Sequence, residues 1–117
     1  MSETMLSVGQ SVDTATALLS EADCVAFAEA YDPQPMHVDP DQAKHSFLGG
    51  LVASGWQVLS VTMRLIVEAR PLGDAPLIGA EISAIRFARP VRPEILIRAR
   101  ATLDELRPRR SGGNSRS

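Results

Sequence analysis

The chain lacks most of what the commoner functional sites are built from. Its 117 residues include one cysteine, Cys24, which excludes an internal disulfide and fits a reducing compartment. The two histidines, His37 and His45, stand near Asp39 and Asp41 in no standard zinc spacing, and no cysteine assists them, so no metal site is expected. Basic residues are not in excess: 12 Lys and Arg face 14 Asp and Glu, a net charge of -2, which argues against a nucleic-acid surface. The longest apolar stretch, Val58 to Val67, is interrupted by Ser60, Thr62 and Arg64 and is too short to span a bilayer. Met1 to Gln10 has no basic start followed by an apolar run, so no secretory leader is expected and a soluble, cytoplasmic protein is. No glycine-rich dinucleotide or P-loop fingerprint is present, and Ser54 lacks the G-x-S-x-G setting of a hydrolase nucleophile.

What is present suits one globular domain with one core. Hydrophobic residues make up 44% and charged residues 22%. Ser11 to Leu19 reads as a first strand. Ser20-Glu21-Ala22-Asp23 then reads as a capping box, with Cys24, Phe27, Ala28 and Tyr31 on one face of the helix that follows. Asp32-Pro33 stops that helix, because the residue before a proline is pushed out of helical geometry. Pro33 to Gly50 reads as loop, with a short helical turn over Asp41 to Lys44 capped by Asp39-Pro40-Asp41.

Gly55 to Arg70 is apolar around most of its circumference, with Gln57, Ser60, Arg64 and Glu68 forming one narrow polar stripe. Such a helix is expected to be buried under a sheet that wraps it, with Trp56 and Met63 as core fillers, and to end at Pro71 and Gly73. Ile78 to Ala88 reads as a strand, followed by a turn at Pro90-Val91-Arg92-Pro93. Ile95, Ile97, Ala99, Ala101 and Leu103 then alternate with polar or outward positions as a half-solvated strand. Arg107 to Ser117 has no apolar residue and is expected to be a disordered basic tail. The domain is therefore bounded at residues 1–106, with the tail at 107–117.

Two constellations can carry chemistry. Asp32 and His37 are joined by a connection stiffened by Pro33 and Pro35, which lowers the entropy lost in holding them together. A carboxylate beside an imidazole suits general acid–base work near neutrality. Ala53-Ser54-Gly55 opens the apolar helix, where free amides and the positive end of the dipole stabilise negative charge. Gly55 admits a ligand oxygen close to the backbone; equally, Ser54 can be a helix cap and Gly55 a relief of crowding. Arg86, Arg89 and Arg92 are placed to meet a phosphate or to stay solvated.

Tyr31-Asp32-Pro33-Gln34-Pro35-Met36-His37-Val38-Asp39-Pro40, then Phe47-Leu48-Gly49-Gly50-Leu51-Val52-Ala53-Ser54-Gly55-Trp56, resembles the MaoC-like dehydratases and (R)-specific enoyl-CoA hydratases. Arg86-Phe87-Ala88-Arg89-Pro90-Val91-Arg92-Pro93 is similar to the same family in its strand-turn-strand segment, and the resemblance runs from about Leu18 to about Leu106. It implies an α+β hot-dog fold, an antiparallel sheet wrapped around one long apolar helix. It implies Asp32 and His37 as a catalytic dyad adding water to a 2-enoyl thioester, and the Gly55 amide as the oxyanion donor. Gln34, Ser54 and Trp56 are the candidate substrate contacts. The implied substrate is a coenzyme A or acyl-carrier thioester, with no metal or redox cofactor, in a homodimer that engages neither nucleic acid nor membrane.

Two departures bear on that expectation. Gln34 stands where hydratases of the family often carry Asn, and Met63 where a helix serine is usual. The family also continues into two more central strands after Leu106, where this chain has its arginine-rich tail, so a C-terminally truncated relative is expected. The alternatives are a hot-dog thioesterase and an inactive dimerisation or acyl-binding module.

Overall fold

In the computed structural model, residues 6–75 and 82–106 are described, and the tail expected at 107–117 lies outside them. The first strand forms in two pieces, β1 (Ser11–Asp13) and β2 (Ala17–Leu19). They pair antiparallel with β4 (Arg100–Thr102) and β3 (Ile95–Ile97) respectively. Register places Val12 opposite Ala101 and Leu18 opposite Leu96. Between the two ladders, Thr14, Ala15 and Thr16 face only Arg98 and Ala99, so the N-terminal strand bulges by one residue. Thr14 pins the bulge: its amide donates to the Ala99 carbonyl and its hydroxyl accepts from the Ala99 amide, both at 2.9 Å.

That extra residue switches the side-chain parity of the strand. Thr14 points inward before the bulge and Leu19 after it, and both are buried. The partner strand keeps its parity, with Ile97, Ala99, Ala101 and Leu103 half-buried on one face, as the alternation predicts. Asp13 and Arg100 sit opposite one another on the exposed face as a bidentate pair, at 2.7 and 3.3 Å. The guanidinium holds the Asp13 carboxyl below its ordinary range.

Ser20 caps α1 (Glu21–Tyr31) by accepting the Asp23 amide at 3.1 Å. Asp23 makes no return bond among the described residues; Glu94 instead accepts from the Glu21 amide at 2.7 Å, tying α1 to the sheet. Asp32 closes α1 with its amide on the Ala28 carbonyl. The segment read as loop holds two short helices, α2 (Pro35–Val38) and α3 (Pro40–Lys44). Their prolines start them, since a residue in the first helical turn has no intrahelical acceptor to lose. The Asp39 carboxylate caps α3 through the amides of Asp41 and Gln42.

The long helix, α4 (Gly55–Ala69), ends as expected before Pro71, with Arg70 in left-handed geometry at φ 54°. Val58 and Val61 pack on a core of Leu19, Cys24 and Ala53, joined by Val91 and Ile97. The expectation that α4 is buried nearly all round is corrected. Trp56, Met63 and Val67 are 57%, 45% and 47% exposed, because the two ladders cover only one side of the helix. Gln57 of the polar stripe is buried instead. The expected strand from Ile78 to Ala88 is also not formed at 82–88, which is exposed and joins no ladder among the described residues; residues 78–81 lie outside the described residues. Alternation makes a strand only where a neighbouring backbone supplies the ladder. Among the described residues no helix is long and apolar enough to cross a membrane.

The core assignment predicts a sharp contrast between neighbours. Leu19→Ala should destabilise the chain by roughly 2–5 kcal/mol. Leu18→Ala, at a position 52% exposed, should shift stability by no more than about 0.5 kcal/mol. Urea midpoints compared at equal slope read the difference directly.

Candidate active site

Each candidate side chain is delivered by the end of an element. Asp32 is the C-cap of α1, His37 lies in α2, and Ser54 and Gly55 open α4. Between them Leu51, Val52, Ala53 and Ser54 form a buried connection that ends in extended geometry at Ser54. The Val52 amide donates to the Met36 carbonyl (3.0 Å) and the Ala53 amide to the Val91 carbonyl (2.7 Å). This strap holds α2 and the 91–93 turn on either side of the helix start.

The structure brings Asp32 and His37 together, with His37 Nε2 3.3 Å from Asp32 Oδ2. His37 is 6% exposed and its Nδ1 lies 2.8 Å from the Val52 carbonyl oxygen. A carbonyl can only accept, so Nδ1 carries a proton and, in the neutral ring, Nε2 presents its lone pair. The pair can therefore share one proton between a ring nitrogen and a carboxylate oxygen.

Asp32 is held in its charged form. Gln34 Nε2 donates to Oδ1 at 2.8 Å and the Ser54 hydroxyl donates to Oδ2 at 2.7 Å. These two bonds, with a smaller contribution from His37, hold the carboxyl below its ordinary range against the opposing effect of burial. Gln34, though longer than the Asn usual at its position, reaches the carboxylate from an exposed site.

Ser54 has no exposed surface at all. Its hydroxyl gives its proton to Asp32 and accepts the Trp56 amide at 3.2 Å, so it caps α4 and braces the carboxylate at once. Gly55 is the first residue of α4, and its amide has no acceptor among the described residues. His37 and Gly55 share the lining of a groove of about 330 Å³, whose apolar walls include Met36, Leu48, Val58 and Phe87. Asp32 is not part of that lining; it borders His37 on the Nε2 side. Trp56 is directed elsewhere, edge-on to Phe87 with ring centroids 6.4 Å apart. Of the three arginines weighed above, Arg89 lines the groove, while the Arg92 guanidinium donates to the Leu48 carbonyl.

Two contributors are invisible to motif reading. The Val52 carbonyl acts through its backbone, which no side-chain pattern reports. Phe87 lies within the quoted Arg-Phe-Ala-Arg-Pro segment, yet nothing in that segment says its ring meets Gly55. A β-carbon on Gly55 would lie 2.7–2.9 Å from three ring carbons of Phe87, so any larger residue here would have to displace that ring.

Comparison with known proteins places the chain among related sequences. The family model described as MaoC like domain matches residues 3–115, wider at both ends than the motif resemblance. YdeM, an uncharacterized protein of Bacillus subtilis (strain 168), is 36% identical over 87 residues, 74% of this chain and 62% of its own length. The crystal structure of a MaoC-like dehydratase from Rhodospirillum rubrum is 41% identical with a TM-score of 0.69, covering 81% of this chain and 64% of that one. An (R)-hydratase from A. caviae involved in PHA biosynthesis is 25% identical with a TM-score of 0.69, covering 87% and 75%. The chain thus spans less than two thirds of the length of YdeM and of the R. rubrum protein.

The bracing of Asp32 predicts a definite pH signature. A depressed folded pKa contributes stability that is present above the unfolded carboxylate value, near ~3.9. That stability is lost as pH falls through the lower folded value. Ser54→Ala should raise the Asp32 pKa, shrink this acid-side loss, and remove roughly 1 kcal/mol of helix capping at neutral pH. Carboxyl NMR titration and urea unfolding between acid and neutral pH test both; an unmoved Asp32 titration would refute the brace.

Proposed function

The chain belongs to the MaoC-like domain family and has the family's hot-dog fold, and from that premise we propose that it adds water to a 2-enoyl thioester, or removes it in reverse. The observation that carries this reading is the 3.3 Å pairing of Asp32 and His37, with the ring on the wall of the groove that Gly55 also lines. Named relatives among solved structures are a MaoC-like dehydratase and an (R)-hydratase, which supports the same class of reaction.

In this mechanism a water sits against His37 Nε2, which takes its proton as the oxygen bonds to the β-carbon. Asp32, kept ionised by Gln34 and Ser54, stabilises the imidazolium that forms. Electrons displaced from the alkene collect on the thioester oxygen, where the Gly55 amide at the positive end of α4 receives them. The proton then passes from His37 to the α-carbon, completing addition of one water. Adding water leaves the overall oxidation level of the substrate unchanged, so the reaction consumes no oxidant or reductant. Gln34 and Ser54 act through Asp32.

The carrier is coenzyme A or a related acyl-carrier thioester, with Arg89 the basic residue nearest to meet its phosphates. A pair of chains is the proposed assembly, which would cover the exposed Met63 and Val67 of α4. A reducing, cytoplasmic setting fits the buried free thiol of Cys24.

Loss of crotonyl-CoA absorbance tests the proposal. Asp32→Asn and His37→Ala should each lower the rate by roughly 10²–10⁴ while keeping the far-ultraviolet circular dichroism of the parent. Equal traces for all three folded proteins would leave only a binding module. Release of free thiol from the same substrate would point instead to thioester hydrolysis.

A further inference from the structure

Two apolar depressions lie on either side of one aromatic pair. The Phe87 ring forms part of the wall of the groove lined by His37 and Gly55. Phe87 meets Trp56 edge-on, and Trp56 in turn lines a second depression with Phe27, Tyr31 and Ser60, of about 460 Å³. Phe27 and Tyr31 pack on one another at 5.1 Å, so the far side is largely aromatic. Phe87 is 54% exposed and sits on the 82–88 segment, which joins no ladder among the described residues; its ring lies against Gly55 and Trp56.

We infer that the Phe87–Trp56 pair is a partition that limits the length of acyl chain the groove accepts. The inference rests on the thioester reading above, and it makes Phe87 a specificity-determining residue. A thioester oxygen at the Gly55 amide places its acyl carbons along the Met36, Val58 and Phe87 walls. A short chain is buried there. A longer one meets the ring, beyond which lies the apolar face of Trp56, Phe27 and Tyr31. With the ring removed, the two depressions become continuous, and additional methylenes pass from water onto apolar surface.

The test is binding of saturated acyl-CoAs, butyryl to decanoyl, to the full chain and to its Phe87→Ala and Phe87→Leu variants, read by isothermal calorimetry. These ligands have no alkene to hydrate, so the readout is independent of catalysis. For the parent, affinity should stop rising once the chain reaches the ring. For Phe87→Ala it should keep rising with length, by up to about fourfold per methylene if each is fully buried. Phe87→Leu, which loses the ring that meets Trp56, should move the plateau to a longer chain than the parent's, and it preserves the test if the alanine variant does not fold. A leucine plateau at the parent's chain length, or parallel profiles for parent and alanine variant, would overturn the partition even with crotonyl-CoA hydration intact. Diverging profiles in a chain that hydrates nothing would leave the partition standing and remove the hydration reading.

Discussion

The hydroxyl of Ser54 is the joint on which the site depends. One small, wholly buried group accepts the Trp56 amide and donates to the Asp32 carboxylate. It therefore fixes the start of α4 to the end of α1, and it does so at the point where charge must be held. A hydrogen bond to an ionised carboxylate is among the stronger polar contacts in a protein, and burial makes its loss more damaging than its presence is stabilising. Asp32 reaches His37 in a set geometry because Ser54 and Gln34 leave its two oxygens little freedom.

Around that joint the backbone supplies the rest of the order. The Leu51–Ser54 strap is hidden from water, so its amides need protein partners, and it finds them in Met36 and Val91. The same strap offers the Val52 carbonyl to His37, which selects the ring tautomer and leaves the lone pair on Nε2. The helix start, the imidazole and the groove wall at Val91 are thus positioned by one buried tetrapeptide.

The periphery is built more loosely. The Thr14 bulge lets one strand change parity so that Leu19 reaches the core, while β1 and β4 hold an exposed ion pair outside. Coverage stops at one side of α4, and Trp56, Met63, Val67 and Phe87 keep apolar surface in contact with solvent. Such surface is the natural place for a ligand chain or a second subunit to bury area, whereas the dyad, already braced, needs neither to stay assembled.

Local features were determined by the sequence on its own: the Ser20 cap, the stop at Asp32-Pro33, the cap at Asp39, the length of α4, and the alternation from Ile95 to Leu103. Each depends on contacts a few residues apart, where covalent geometry and hydrogen-bonding chemistry leave few choices. The Asp32–His37 pair belongs with these, since two prolines shorten and stiffen its connection. Other features were decided only by tertiary structure. Ser54 meets Asp32 across 22 residues and Val52 meets His37 across 15, and neither pairing leaves a mark in periodicity. The one-residue bulge, the missing ladder at 82–88, the exposure of Trp56 and Met63, and the Phe87 ring against Gly55 are of the same kind. A residue's hydrophobicity states what it would gain by burial, but only the arrangement of its distant neighbours decides whether anything arrives to bury it.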